Sequence, residues 1–161
     1  MSELTDRLTA YAAYHRNPQN IRTHFIGIPL IALGTAALLY PLGVFPLGAP
    51  LNVTLVASIL MLGYYYRLDT GYGNAMLPLF IVLFFLSALI ASMAFVPWLL
   101  ISLMLLTVGW TQQLIGHKHE GRKPAFMDDL RSIPIGPLFV LAEAGFKFGW
   151  RLEVREEIQR R

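Results

Sequence analysis

Histidine is the residue of this sequence best suited to chemistry, and its four copies share one kind of position. His15 and His24 lie in "YHRNPQNIRTHFIGIPL" (residues 14–30), where charged residues give way to a long apolar run. His117 and His119 lie at the far end of the apolar part of the chain, in "QQLIGHKHEGRKPA". An imidazole can bind a metal ion, transfer a proton or meet water at a polar border. The elements that position these rings decide between those uses.

The chain is too apolar for an ordinary soluble domain. Its 161 residues are 55% hydrophobic and 14% charged, with a mean hydropathy of +0.52. No charged residue occurs from Thr23 to Tyr66 or from Thr70 to His117. Each run is more than twice the roughly 20 residues that one spanning helix needs. We therefore predict an all-α, polytopic membrane bundle, with spans over Ile21–Leu39, Leu51–Tyr66, Asn74–Phe95 and Trp98–Glu120.

The remaining segments are predicted to flank this bundle. Apolar residues at steps of four and three predict an N-terminal amphipathic helix at the membrane interface that ends at His15, which faces the bilayer or the bundle. "NPQN" is expected to break that helix, with Asn20 as the N-cap of the first span. The uncharged stretch Ser132–Ala142 is short for a span and predicts a re-entrant or interfacial helix. We predict a single integral membrane domain over 1–161, with a charged tail at about 150–161.

The basic residues predict the orientation of the chain. Of 13 Lys and Arg, three precede Thr23, one lies in "RLDTGYGN" and nine follow His117. The positive-inside tendency puts these segments, and both termini, in the cytoplasm, at a bacterial inner membrane or at the endoplasmic reticulum of a eukaryote. The turns at Tyr40–Pro50 and near Pro97 then lie on the opposite side. The pI of about 9.4 favours anionic lipid headgroups over nucleic acid, because basic and aromatic residues do not interleave.

This topology brings distant histidines to one membrane level. The first span begins and the fourth ends on the cytoplasmic side, so His24 and His117 are expected to meet, with His15 nearby. On a continuous helix Glu120 and Gln113 share the face of His117, whereas His119 is turned by about 200°. Glu120 is thus a candidate ligand or a partner of a ligand. Gln113, Asn20 or a backbone carbonyl freed by a helix proline is expected to orient the second nitrogen of each ring.

Several functions remain open for such a cluster. Three or four imidazoles with a carboxylate, in a chain without cysteine, suit Fe(II), Mn or Zn. Iron would favour oxygen chemistry, and zinc would favour a membrane hydrolase. A bis-His haem carrier, a metal-ion permease and a structural membrane protein with interfacial histidines are the non-catalytic alternatives.

Two long stretches of the sequence resemble the signatures of one family, the 2-hydroxy fatty acid dioxygenases. "YHRNPQNIRTHFIGIP" is similar to the N-terminal signature, and "QQLIGHKHEGRKPAFMDDL" resembles the second signature. "IGPLFVLAE" is similar to the C-terminal element of the family. The stretches occur in the family's order and span residues 14–143.

The resemblance implies an Fe(II)-dependent enzyme of fatty acid α-oxidation that uses dioxygen to shorten a 2-hydroxy fatty acid by one carbon. It implies metal ligation by His15, His24 and His117. We keep His119 as a fourth candidate ligand, and Glu120, Asn20 and Arg122 as candidate catalytic residues. Arg122 is expected to steer the substrate carboxylate, while the acyl tail lies among the apolar spans or in the membrane lipid.

Overall fold

The protein is helical through nearly all of the part that the computed structural model describes, residues 2–44 and 51–160. Seven α-helices occur there, and a two-residue antiparallel pair, β1 (Gly43–Val44) with β2 (Leu51–Asn52), is the one β element in those ranges. The helices are α1 (Glu3–Ala12), α2 (Pro18–Leu39), α3 (Val53–Leu68), α4 (Thr70–Ala91), α5 (Phe95–Glu120), α6 (Ile135–Lys147) and α7 (Leu152–Gln159). The predicted all-α membrane bundle is confirmed.

The long helices carry the membrane character of the chain. Three of them, α2, α4 and α5, are long and apolar enough to cross a bilayer, and α3 is apolar but has 16 residues. The number of four spans therefore stays a prediction, as does the orientation of the termini. Residues 45–50 of the predicted first turn lie outside the described residues. The predicted end of α5 is confirmed, because Gly121 follows Glu120 with φ +68.

The start of α2 differs from the prediction. The helix begins at Pro18, so Asn20 lies inside its first turn and is not the N-cap. Proline suits the first helical position because its missing N–H has no partner to lose there. The side chain of Asn17 accepts a hydrogen bond from the Gln19 N–H at 2.9 Å and takes the capping role. "NPQN" thus begins a helix, and the side chain of Asn20 is released for another contact.

The described chain divides into two compact units. One contains residues 29–110, and the other contains the chain up to Ile28 and from Thr111 onward. In the first unit α3 and α4 pack as a hairpin, and Asp69 ends α3 and caps α4 by accepting from the Tyr72 N–H at 2.9 Å. Segments of α2 and α5 approach closely at Gly34, where an added Cβ would lie 3.0 Å from the Ser102 carbonyl oxygen.

The second unit assembles around α1. The predicted amphipathic helix is present, and its apolar residues Leu4, Leu8 and Tyr11 are buried. α1 packs against α6 and α7, so the stripe that ends at His15 faces the protein interior, one of the two surroundings that the sequence left open. The uncharged stretch near Ser132 leads into α6, which extends to Lys147 and is too short to span. The charged tail forms α7 and buries Val154.

Gly34→Ala is expected to lower the thermal stability of the protein in detergent or nanodiscs. The new methyl group would press on a backbone oxygen, and such overpacking costs about 1–3 kcal/mol. Gly63→Ala is the matched control, because Gly63 lies in α3 with nothing within 4 Å of an added Cβ. Equal melting temperatures for the wild type and Gly34→Ala would contradict the close approach.

Candidate metal centre

Three histidines from distant parts of the sequence meet in the unit formed by the chain ends. His15 follows α1, His24 lies in the second turn of α2 and His117 lies in the last turn of α5. The distances between ring centroids are 4.4 Å for His15 and His24, 5.0 Å for His15 and His117, and 5.1 Å for His24 and His117. The three side chains are buried, and one nitrogen of each ring lies within 4.8 Å of the others.

Each ring is oriented by a backbone carbonyl. The Nδ1 atoms of His15, His24 and His117 lie 2.8 Å from the Tyr11 oxygen, 2.9 Å from the Asn20 oxygen and 3.2 Å from the Arg122 oxygen, respectively. A carbonyl oxygen can only accept, so each Nδ1 carries the hydrogen and donates it. In the neutral rings Nε2 is then a bare lone pair, the form that binds a metal. Backbone carbonyls therefore orient all three rings, and one of these carbonyls belongs to Asn20, a predicted orienting residue.

The Nε2 atoms of His15 and His24 lie 2.9 Å apart, a distance that two neutral rings of this tautomer do not explain. Neither nitrogen has a hydrogen to donate, and a doubly protonated ring would be a costly buried charge. Burial in fact lowers the pKa of His15 to about 4, although its hydrogen bond to Tyr11 opposes the shift. A shared cation resolves the conflict, because two nitrogens bound at about 2.0–2.1 Å to one ion lie at such a separation. The residues present therefore fit a metal ion.

Glu120 holds the chain that follows His15 at the start of α2. Its carboxylate accepts from the backbone N–H groups of Arg16 at 3.0 Å and Asn17 at 2.9 Å, and from Asn20 Nδ2 at 3.0 Å. These donors lie at the N-terminus of a helix, where the helix dipole favours an anion. Glu120 thus acts as a cap supplied by a different helix, and it lies outside the group of three that could ligate one ion.

Arg122 holds the end of α1 that leads to His15. Its guanidinium donates to the Ala13 carbonyl at 2.9 Å and lies 3.9 Å from the centre of the Tyr14 ring. A cation near the carbonyls at a helix C-terminus is electrostatically favourable. The carbonyl of the same residue accepts from His117 Nδ1. Arg122 therefore connects two of the three histidines, a contact different from the predicted one with a substrate carboxylate.

Asn20 and Gly116 allow α2 and α5 to approach closely beside the rings. Asn20 is fully buried and donates to Tyr14 O at 3.3 Å as well as to Glu120. A Cβ at Gly116 would overlap the side chains of Asn20 and Thr23. Glycine is thus required at this position of α5 for His24 and His117 to reach each other.

Two aromatic rings that sequence reasoning did not assign to the site enclose His15. Tyr11 stacks on the imidazole with centroids 4.2 Å apart and planes 6° apart, and Phe139 of α6 lies 5.3 Å away. The spacing of four residues between Tyr11 and His15 was a usable signal, because such residues share a helix face. Nothing in the sequence places α6 beside α1, so Phe139 could not be found.

The structure does not bring His119 into the cluster. Its side chain is exposed, and its backbone carbonyl accepts from Asn17 Nδ2 at 2.9 Å. The position follows from helix geometry, since two residues along α5 turn the side chain to the far face. Gln113 does lie on the buried face, and it is 6% exposed.

Comparison with known proteins agrees with the two histidine-containing signatures. A family model described as "2-hydroxy-palmitic acid dioxygenase Mpo1-like" matches residues 1–148. The chain belongs to the Mpo1-like family. It is 29% identical to "2-hydroxy-palmitic acid dioxygenase MPO1" of Saccharomyces cerevisiae over 161 residues, which is 98% of this chain and 88% of the yeast protein. No solved structure matches this member of the Mpo1-like family.

Glu120→Ala is expected to weaken metal binding by about 10–100-fold, the usual effect of removing an outer partner of a metal site. The segment that carries His15 would lose three hydrogen bonds, while all three ligands would remain. Metal retained after equilibration with graded chelator measures the effect. Glu156→Ala is the control, because that exposed carboxylate lies on α7 and forms an ion pair with Arg160, four residues along the chain. If Glu120→Ala retains as much metal as the wild type, the capping contacts of Glu120 do not support the metal site.

Proposed function

We propose that this protein is an Fe(II)-dependent dioxygenase that acts on 2-hydroxy fatty acids and shortens them by one carbon. The observation that carries the proposal is the buried group of His15, His24 and His117, in which one nitrogen of each ring lies within 4.8 Å of the others. The yeast relative bears the name of a 2-hydroxy-palmitic acid dioxygenase, which supports the same reaction class and substrate class for this chain.

The donors allow Fe(II), Mn or Zn, and dioxygen chemistry favours iron over zinc, which has no redox chemistry. Three neutral imidazoles and the absence of cysteine suit Fe(II), and fewer than six protein ligands leave positions for oxygen donors. When bound, Fe(II) would supply the binding and reduction of dioxygen, chemistry that amino-acid side chains do not provide.

The residues around the rings would keep the ligands ready. The carbonyls of Tyr11, Asn20 and Arg122 hold one proton on each Nδ1, so the Nε2 atoms stay unprotonated. Glu120, Arg122 and Asn20, which we proposed as catalytic residues, act in this account as positioning residues because they contact backbone beside the ligands. Tyr11 and Phe139 cover His15 and exclude water from it.

The reaction requires no further reductant. Cleavage between the carboxyl carbon and the carbinol carbon with one dioxygen balances as a shortened acid, carbon dioxide and water. It also balances as a shortened aldehyde, carbon dioxide and hydrogen peroxide. A 2-hydroxy fatty acid is an amphiphile, so apolar helices in a membrane suit its acyl chain. We place the site on the cytoplasmic side with both termini, following the distribution of Lys and Arg.

His24→Ala and His117→Ala are each expected to lose bound iron and to lower oxygen uptake with a 2-hydroxy fatty acid by at least about 100-fold. Loss of an outer partner alone costs up to that amount at other metal sites, and these changes remove a ligand. His119→Ala is the matched control, since its side chain is exposed and outside the cluster, and it should retain both iron and activity. The assay uses protein purified without oxygen and loaded with Fe(II).

Two results would overturn the proposed function. Full turnover by both ligand variants would exclude the three-histidine centre. Turnover of the wild type that proceeds equally well without oxygen would favour a zinc hydrolase instead.

A further inference from the structure

Gln113 carries a buried hydrogen-bond donor that no described residue accepts. The residue is 6% exposed, and its Nε2 has no hydrogen-bond partner in the described part of the chain. Buried polar groups are nearly always paired, because the lost bonds to water are costly. An apolar side chain of the same size would avoid that cost. The buried amide therefore indicates a partner that is not among the described residues.

The donor is not needed to orient the metal ligands. Each of the three Nδ1 atoms already has a backbone carbonyl. The other unpaired buried amide atom nearby is Asn20 Oδ1, and that oxygen packs against Gly116, where a Cβ would overlap it. Asn20 therefore has a packing role, whereas Gln113 has none that these contacts account for.

The pairing of α2 with α5 places Gln113 beside the histidines. Asn17 of α2 contacts Glu120 of α5, and Thr23 lies against Gly116. Higher residue numbers on one helix thus meet lower numbers on the other, so the two segments run antiparallel. Continuing this antiparallel register puts Gln113 at the level of residues 24–26, which include His24. Gln113 also precedes His117 by four residues and shares its face of α5.

The two helices that flank Gln113 favour a neutral ligand group. The sequence carries no Lys or Arg from Thr23 through the rest of α2, and none in α5 before Lys118. Apart from the proposed metal ion, a carboxylate at Gln113 would therefore find no cation on these helices to offset its burial. A hydroxyl oxygen accepts a hydrogen bond from an amide without that cost.

We infer that Gln113 is a substrate-binding residue whose Nε2 donates a hydrogen bond to the 2-hydroxyl oxygen of the fatty acid. The inference rests on the proposed function and extends it to specificity. It explains how a site for an acyl chain would distinguish a 2-hydroxy acid from the same acid without the hydroxyl. A donor left unpaired by the wrong ligand discriminates more strongly than an apolar pocket does.

The test replaces Gln113 by methionine, which has nearly the same length and no N–H donor. Gln112→Met is the matched control, because it makes the same change one residue earlier, on another face of α5. Calorimetric titration without oxygen compares the binding of 2-hydroxypalmitate and palmitate to the Fe(II)-loaded proteins. We expect Gln113→Met to lose about tenfold or more of the preference for the hydroxylated acid, with unchanged iron content and no loss of thermal stability. Gln112→Met should behave as wild type.

The outcomes separate the inference from the proposed function. If Gln113→Met keeps the wild-type preference, or loses iron or stability, Gln113 is not a determinant of substrate binding and the inference is wrong. Oxygen uptake by the wild type tests the proposed function independently. If the wild type consumes oxygen with 2-hydroxypalmitate and Gln113→Met keeps the wild-type preference for the hydroxylated acid, only the inference about Gln113 is wrong.

Discussion

Three imidazole rings within about 5 Å of one another, each with its Nδ1 hydrogen donated to a carbonyl, must direct bare Nε2 atoms into the same small space. Burial prevents the rings from relieving this repulsion by taking up protons, as the lowered pKa of His15 indicates. Holding these rings together lowers the stability of the folded protein. A metal ion turns that unfavourable arrangement into a set of bonds, which is the constraint on which our functional account depends.

The ends of three helices maintain the arrangement. α1 ends just before His15, α2 begins just after it, and the last turn of α5 supplies both His117 and the side chain of Glu120. Glu120 caps the start of α2, and Arg122 caps the end of α1. An anion thus lies at the positive N-terminus of α2 and a cation at the negative C-terminus of α1, one on each side of His15. Side chains that looked like reacting groups in the sequence hold a backbone segment in place.

Much of this was predictable from sequence. The lengths of the uncharged runs give the apolar helices, and the histidines at their borders give the meeting of His24 and His117. Gly121 marks the end of α5. The predicted start of α2 is wrong because proline, which breaks a helix in its interior, favours the first helical turn, and Pro18 occupies that position. The contacts of Phe139 and the carbonyl partners of the rings arise from tertiary packing, which single-chain periodicity does not encode.

X-ray absorption at the K edge of the bound metal tests the central claim most directly, because it reports the ligand atoms irrespective of turnover. For protein purified without oxygen and reconstituted with Fe(II), we expect outer-shell scattering from three imidazole rings, falling to two in His15→Ala. An iron spectrum without imidazole scattering, or one that His15→Ala leaves unchanged, would contradict it.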